Sequence, residues 1–263
     1  MSNIARAFTA ADGSRKKAFI PFITCGDPDV GITEQAVLGM VEAGADLIEI
    51  GIPFSDPTAE GPVIQQANIR ALSGGVTTDD AFALVSRLRT QTEVPMVFMT
   101  YANVIFSYGT ERFAANAAEA GIDGFILPDV PFEEKLEFSE PFAQVGIDLV
   151  SMIAPTSHDR IKQIAADAKG FVYCVSSLGV TGVRSEITTD IGAMVELVRE
   201  ATDVPVAVGF GISTPEQAAS MAAKSDGAIV GSAIVKILAE YGQDAVPHVV
   251  DYVKSMADAV HAA

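Results

Sequence analysis

The chain has little of three things: cysteine, positive charge and long hydrophobic runs. Two cysteines in 263 residues, Cys25 and Cys174, cannot build a disulfide framework, so a reducing cytoplasm is the expected location. Seventeen basic residues against 34 acidic ones give a formal net charge of −17, which repels nucleic-acid backbones and anionic lipid surfaces. No apolar run approaches the ~20 residues of a membrane span, and the N-terminal stretch lacks a signal-peptide core. We therefore expect a cytoplasmic protein whose partners include neither nucleic acid nor membrane.

Short apolar runs of strand size recur along the chain, and Ala- and Glu-rich stretches with helical periodicity separate most of them. In order they are Phe19–Thr24, Leu47–Gly51, Met96–Thr100, Gly124–Leu127, Asp148–Ile153, Phe171–Val175, Pro205–Val208 and Gly227–Val230. Eight strands alternating with helices predict parallel pairing, and the length matches an α/β fold of the (β/α)8-barrel (TIM-barrel) type with ~250 residues. A doubly wound open sheet is the alternative from the pattern alone.

No composition break or linker divides the chain, so residues 1–263 are predicted to form one domain. Extra helices are expected at the N-terminus, in the long gap after strand 2, and after strand 8. Gly44 stands where a glycine that ends the first helix belongs. Thr214, Pro215 and Gln217 offer an N-cap, a proline at the first helical position and a capping box for a later helix.

Glu49 is the first candidate for chemistry. In Leu47–Gly51 it lies between two isoleucines, near the carboxyl end of a strand, where barrel enzymes place their active sites. A carboxyl group inside a buried strand loses solvation, so its pKa rises towards neutral and suits it to donate and accept protons near pH 7. The alternative is a buried glutamate tied to a structural partner.

The loop after this strand, residues 52–62, contains three prolines, one glycine and two acids. Such a composition predicts a stiff, shaped loop rather than a merely solvated one. Either acid, Asp56 or Glu60, could supply a second carboxylate opposite Glu49. A carboxylate that caps a turn is the alternative for each.

Glycine-rich segments follow three later strands. Gly209–Ser213 and Gly231–Ile234 occupy the two positions at which barrels frequently bind phosphate through backbone N–H groups and a short helix, here predicted over Ala233–Leu238. Ser232 could add a hydroxyl. The third segment, Ser176–Ser185, is typical either of a mobile lid or of an ordinary flexible loop.

Further absences restrict the reaction. The three histidines, His158, His248 and His261, lie in helical or terminal stretches, so no metal cluster is expected. The lysines avoid strand interiors, which argues against a Schiff base, and there is no P-loop or dinucleotide fingerprint. Carboxylate acid–base chemistry on a small organic phosphate is therefore expected: isomerisation, epimerisation or carbon–carbon cleavage.

Six motifs, read in chain order, resemble the tryptophan synthase alpha-subunit family. They are FIPFITCGDPD (Phe19–Asp29), LIEIGIPFSDPTAEGPVIQ (Leu47–Gln65), YANVIF (Tyr101–Phe106), GVTG (Gly179–Gly182), GFGIS (Gly209–Ser213) and GSAIV (Gly231–Val235). The resemblance implies retro-aldol cleavage of indole-3-glycerol phosphate to indole and glyceraldehyde 3-phosphate, without a metal or cofactor in this chain.

The resemblance also implies residue roles. Glu49 matches the catalytic glutamate, and Glu60 matches the loop acid that relieves charge on the indole N–H. The commoner form of the motif has Asp at the position of Glu60 and a larger aliphatic residue at that of Thr58; Glu reaches further by roughly one C–C bond, ~1.5 Å. By the same comparison an indole pocket and a phosphate site are expected. The indole pocket would comprise Phe22, Ile64, Leu127 and Tyr173, with Thr181 in the lid; Gly182, Phe210, Gly211, Gly231 and Ser232 would hold phosphate.

The implied partner is a tryptophan synthase beta subunit, in an α2β2 assembly, which alone would carry pyridoxal phosphate. Pro53, Asp56, Asn103 and Pro131 match the surface that faces it. Three other hypotheses remain open: a free-standing indole-producing lyase, a weakly active subunit that mainly activates the beta subunit, and another phosphate-binding barrel such as a sugar-phosphate epimerase. The last would not need the apolar wall of Phe22, Leu127 and Tyr173.

Overall fold

Eight parallel strands close into a barrel in the computed structural model, which describes residues 3–175, 190–209 and 211–263. The strands are β1 Ala18–Thr24, β2 Ile48–Gly51, β3 Met96–Met99, β4 Gly124–Ile126, β5 Asp148–Ile153, β6 Lys169–Val175, β7 Val206–Gly209 and β8 Gly227–Val230. Each pairs with its neighbours in sequence, and β8 pairs with β1. The (β/α)8 prediction is confirmed and the open sheet is excluded.

Eleven α-helices lie in the described part of the chain. They are α1 Val30–Glu42, α2 Pro62–Ser73, α3 Thr78–Arg89, α4 Ala102–Tyr108, α5 Thr110–Ala120, α6 Leu136–Gln144, α7 His158–Ala166, α8 Ile191–Arg199, α9 Pro215–Lys224, α10 Ser232–Tyr241 and α11 Ala245–His261. Extra helices follow strands 2 and 8 as predicted, and the N-terminal one is a 3₁₀ helix, Asn3–Phe8. Sequence reasoning missed a further pair after β3, where Gly109 with φ of 94° separates α4 from α5.

The local signals act as expected. Helix α1 ends at Glu42, and Gly44 adopts a φ of 105°, a conformation that glycine tolerates. At the start of α9, Thr214 accepts a hydrogen bond from the Gln217 N–H, and the Gln217 side chain returns to the Thr214 backbone. This capping box fixes where the helix begins after β7.

Alternation along the strands separates two apolar clusters. On β2, Ile48 and Ile50 belong to the outer cluster between the strands and the helices, whereas Leu47 just before the strand belongs to the cluster inside the barrel. Because successive side chains point to opposite faces, Glu49 lies on the same inner face as Leu47. The carboxyl ends of the strands form one end of the barrel, here called the mouth.

The opposite end of the barrel is closed by the N-terminal 3₁₀ helix. Ile4 is fully buried there, and the Phe8 ring lies 5.9 Å from the Phe171 ring, centroid to centroid. Asn3 donates a hydrogen bond of 2.9 Å to Asp123. This closure leaves the mouth as the end at which a ligand can reach the interior.

No helix among the described residues has the length and apolarity that a membrane crossing requires.

Candidate active site at the barrel mouth

Glu49 lies inside the barrel near the mouth, with 1% of its surface exposed. It pairs in register with Phe22 of β1 and Val97 of β3, and its Oε2 atom is buried without a hydrogen-bond partner among the described residues. Burial, and then the negative charge of Glu60, raise the pKa of Glu49 to about 8. The predicted rise of its pKa is confirmed, and none of the residues that the structure describes hydrogen-bonds its Oε2.

Two aromatic rings line the interior beside Glu49, and glycines make room for them. A Cβ atom on Gly51 would approach the Phe22 ring to 2.7 Å, and one on Gly231 would come within 3.1 Å of the same ring. A Cβ atom on Gly209 would lie 2.5 Å from the Tyr173 hydroxyl. At Gly51 and Gly209, which end β2 and β7, the rings occupy the space of a side chain; at Gly231, after β8, the Phe22 ring would have to move by a few tenths of an ångström.

Glu60 lies in the loop between β2 and α2, with 4% of its surface exposed. Asn68 on α2 donates a hydrogen bond of 2.6 Å to its Oε2, and the Tyr101 hydroxyl also hydrogen-bonds its carboxyl group. Burial raises the pKa of Glu60 to about 7, while both hydrogen bonds oppose the rise. The charge of Glu60 contributes to the raised pKa of Glu49, which places two mutually interacting acids at the mouth.

Tyr101 and Asn68 are the residues that sequence reasoning missed. Tyr101 is 1% exposed; its hydroxyl accepts a 3.3 Å hydrogen bond from the Ala59 N–H, and its ring lies 5.2 Å from that of Phe54. Tyr101 thereby fixes the proline-rich loop on both sides of Asp56. Its position just after β3 could have indicated a site residue, since the active sites of barrels lie at the carboxyl ends of their strands. Asn68 gave no such signal, because it lies inside a helix.

The predicted phosphate site is described in part. Gly211 adopts a φ of 83°, and Gly231 caps α10, whose first residue is Ser232. The N–H groups of a first helical turn have no acceptor within the helix, and the helix dipole favours an anion there. The predicted short helix is confirmed, since α10 contains Ala233–Leu238. Phe210, Gly182, Thr181 and the rest of the predicted lid lie outside the described residues.

The predicted apolar wall is divided between two places. Phe22, Ile64 and Tyr173 belong to the interior cluster, together with Ile126. Leu127 belongs to the outer cluster and lines a cavity that Val150 and Val175 of the interior cluster also line. Alternation explains this, because residue 127 follows an inward-facing residue and points the other way.

The residues expected to face a partner differ in accessibility. Asp56, Asn103 and Pro131 are exposed, whereas Pro53 is buried within the chain. A partner that approaches the mouth can therefore contact the first three directly.

A closed parallel barrel whose buried acids lie at the carboxyl ends of its strands defines a class, that of the (β/α)8-barrel enzymes. Residues 8–261 match the sequence profile of the family described as "Tryptophan synthase alpha chain". The tryptophan synthase alpha chain of Citrifermentans bemidjiense is 49% identical over 242 residues, which span 92% of this chain and 91% of that one.

Solved structures give the same result. Tryptophan synthase subunit alpha from Legionella pneumophila superposes with a TM-score of 0.90 at 36% identity, covering 100% of both chains. A chain of the tryptophan synthase complex from Pyrococcus furiosus gives a TM-score of 0.85 at 37% identity, covering 92% of this chain and 98% of that one. This chain belongs to the tryptophan synthase alpha chain family, whose members are lyases that cleave indole-3-glycerol phosphate.

Proposed function

We propose that this chain cleaves indole-3-glycerol phosphate to indole and glyceraldehyde 3-phosphate, with Glu49 and Glu60 as its catalytic residues. The observation that carries the proposal is the pair of buried acids at the mouth, with pKa values of about 8 and about 7. Groups with such values can exchange protons with a substrate near neutral pH. This reaction consists of proton transfers and the cleavage of one carbon–carbon bond, without an oxidant or reductant, so acids and bases suffice for it.

The two acids have different roles because they differ in protonation state. Because the negative charge of Glu60 raises the pKa of Glu49, and hydrogen bonds from Asn68 and Tyr101 favour the ionised form of Glu60, the pair holds its proton on Glu49. Glu49 donates its proton to indole C3, and a positive charge develops on the ring nitrogen. The Glu60 carboxylate accepts a hydrogen bond from the indole N–H and stabilises this charge. Glu49 then removes the proton from the glycerol hydroxyl, the adjacent carbon–carbon bond breaks, and its electrons return to the ring. The aldehyde and neutral indole result, so protons and electrons balance.

The surroundings support the assignment of the substrate's two ends. The rings of Phe22 and Tyr173 supply an apolar interior for the indole, and the turns at Gly211 and Gly231–Ser232 lie where the phosphate would bind. The net charge of −17 repels an anionic substrate, but backbone N–H groups at these turns attract the phosphate at short range. The sequence alone supports three further residues of the proposed site: Thr181 in the lid, and Gly182 and Phe210 at the phosphate.

A beta subunit that carries pyridoxal phosphate is the proposed partner, in an α2β2 assembly in the cytoplasm. Exposed Asp56 lies in the loop that carries Glu60, and exposed Asn103 and Pro131 follow β3 and β4, so a subunit seated on these three residues would cover the mouth. Indole is apolar and crosses membranes, which gives direct transfer to a partner a physical rationale.

The deciding experiment measures indole release from indole-3-glycerol phosphate by the purified chain, with and without its cognate beta subunit. We expect weak activity alone, strong stimulation by the beta subunit, and a loss of at least 100-fold in kcat for Glu49→Gln. Glu93→Gln is the control, because Glu93 is an exposed acid before β3, at the end opposite the mouth. Glu60→Asp should remain active and Glu60→Gln should not.

Other outcomes distinguish the competing hypotheses. Equal activity with and without the beta subunit would favour a free-standing lyase. Activation of the beta subunit without indole release would favour a subunit whose role is to bind its partner. Full activity of Glu49→Gln would contradict the proposed chemistry.

A further inference from the structure

Thr24 is a buried polar residue at the mouth that the proposed mechanism does not use. It ends β1, has none of its surface exposed, and its hydroxyl has no hydrogen-bond partner among the described residues. Burying a hydroxyl without a partner costs free energy, so such a group needs an explanation. A ligand that enters the barrel could supply a partner for it.

Alternation along β1 directs Thr24 into the barrel. Phe22 belongs to the interior cluster, whereas Ile23 and Cys25 belong to the outer one. Because successive side chains point to opposite faces, Thr24 follows Phe22 on the inner face. The other inward-facing side chains of β1 are apolar, so Thr24 is the polar group that this strand contributes to the mouth.

The register of β1 and β2 places Thr24 above Glu49, towards the mouth. Phe22 is level with Glu49, and Thr24 is level with Gly51, two residues further along the strand. Two residues of a strand rise by about 7 Å. Neither the Thr24 hydroxyl nor Glu49 Oε2 has a hydrogen-bond partner among the residues that the structure describes, so the two groups do not bond each other. A ligand with two neighbouring hydroxyls could hydrogen-bond to both, because a hydroxyl can donate and accept.

Strand β1 lies between the two ends of the proposed substrate site. It pairs on one side with β2, which carries Glu49, and on the other with β8, which leads to the turn at Gly231–Ser232. A Cβ atom on Gly231 would lie 3.1 Å from the Phe22 ring, so this turn lies beside the residue that precedes Thr24 on the inner face. A chain that connects an indole beside Glu49 to a phosphate at Gly231–Ser232 therefore crosses the end of β1.

We propose that Thr24 binds the middle hydroxyl of the substrate's glycerol chain, the one that takes no part in bond cleavage. This inference rests on the proposed function, in which Glu49 removes the proton from the hydroxyl next to the broken bond. The two hydroxyls lie on adjacent carbons, as Glu49 and Thr24 lie on adjacent strands, and the middle hydroxyl is the one nearer to the phosphate. Thr24 thereby favours substrates that carry this hydroxyl and holds the reacting hydroxyl beside Glu49.

The test compares two ligands that cannot be cleaved because they lack the reacting hydroxyl. One is 3-(indol-3-yl)-2-hydroxypropyl phosphate, which keeps the middle hydroxyl in the configuration of the substrate; the other is 3-(indol-3-yl)propyl phosphate, which has no hydroxyl. In calorimetric titration of the full chain, the wild type should bind the first ligand about fivefold more tightly, the effect of one hydrogen bond. Thr24→Val replaces the hydroxyl by a methyl group and should bind both ligands equally, whereas Thr24→Ser should keep the preference.

Thr100→Val is the matched control. The Thr100 hydroxyl is also fully buried and has no partner among the described residues. Thr100 follows the inward-facing Met99, however, and its N–H continues the ladder to Ile126, so its side chain points the other way. This variant should keep the preference of the wild type. Thr24→Ala gives an independent result if Thr24→Val fails to fold.

An unchanged preference in Thr24→Val, an equal loss in Thr100→Val, or no preference in the wild type would overturn the role of Thr24, even if the chain releases indole. The expected preferences in a chain that releases no indole from indole-3-glycerol phosphate would support Thr24 as a binding residue and contradict the proposed function. Failure of the wild type to bind either ligand would overturn the proposed substrate pocket and the role of Thr24 with it.

Discussion

At the scale of single residues, the site depends on how two similar side chains acquire different charge states. Glu49 and Glu60 are both buried, but only Glu60 accepts hydrogen bonds on its carboxyl group from Asn68 and Tyr101. Hydrogen bonds to the ionised form lower a pKa, whereas burial and a nearby negative charge raise it. In the proposed mechanism, the difference in partners therefore leaves the charge on Glu60 and the proton on Glu49 before the reaction.

The pH dependence of indole release tests this division. With the beta subunit present, the rate should be highest between about pH 7 and 8: Glu60 is protonated below about 7, and Glu49 is ionised above about 8. Asn68→Ala removes a donor to the ionised form of Glu60, so the pKa of Glu60 rises and the acid limb of the profile moves to higher pH.

Gln65→Ala is the control for this prediction, because the Gln65 amide donates to the backbone carbonyl of Glu60 and not to its carboxyl group. Its acid limb should stay in place. An unmoved limb in Asn68→Ala, or an equal movement in both variants, would show that Asn68 does not set the charge of Glu60.

At the scale of elements, helix α2 connects Glu60 to the rest of the barrel. It begins just after Glu60, carries Asn68, and is held by Arg70, which makes two hydrogen bonds of 2.7 and 2.8 Å to Asp27 after β1. Asp27 is fully buried. The ion pair therefore fixes the helix that orients the loop acid, although neither partner belongs to the proposed site.

Arg70→Met should lower the free energy of unfolding by about 3 kcal/mol, because it leaves the Asp27 charge buried without its partner. Urea denaturation of wild type and variant measures the difference. Arg87→Met is the matched control: it breaks the exposed Arg87–Glu34 pair and should cost less than ~1 kcal/mol. Equal losses in both variants would contradict the importance of burial at Asp27.

A second element-scale feature repeats at the end of the barrel opposite the mouth. Asp46, Asp123 and Asp226 precede β2, β4 and β8, and each accepts a hydrogen bond from a backbone N–H of the preceding strand, at 2.8 to 2.9 Å. Each is also paired with a cation: Lys16, Arg89 and Arg199 respectively. These acids stabilise the end of the barrel that carries no chemistry.

At the scale of the whole molecule, closure of the barrel creates an interior that the N-terminal 3₁₀ helix must fill at one end. The Cδ1 atom of Ile4 lies 2.8 Å from where a Cβ atom on Gly124 would stand and 2.9 Å from that on Gly170. Two glycines on β4 and β6 thus leave the space that this one side chain occupies. Ile4, Ala7 and Phe8 of the 3₁₀ helix are therefore part of the core.

Ile4→Ala should lower the free energy of unfolding by about 3 kcal/mol, through lost apolar burial and the cavity left at the end of the barrel. Ile69→Ala, at a position that is 51% exposed, should change it by less than ~0.5 kcal/mol. The midpoints of urea denaturation distinguish the two. A loss in Ile4→Ala no larger than in the control would mean that the 3₁₀ helix does not contribute to the core.

The sequence by itself determined what depends on one segment at a time. Alternation fixed the strands and the inward face of Glu49, and the capping pattern at Thr214 fixed the start of α9, because side-chain periodicity and helix capping are local properties. The family motifs indicated Glu49 and Glu60 as candidate catalytic residues and indicated the class of reaction.

Only the tertiary structure decided what depends on several segments at once. It joined Tyr101 and Asn68 to Glu60, put Leu127 in the outer apolar cluster and Phe22 in the interior one, and buried Pro53. None of these follows from a local pattern, because closing a barrel fixes the register and separation of strands that are far apart in the chain.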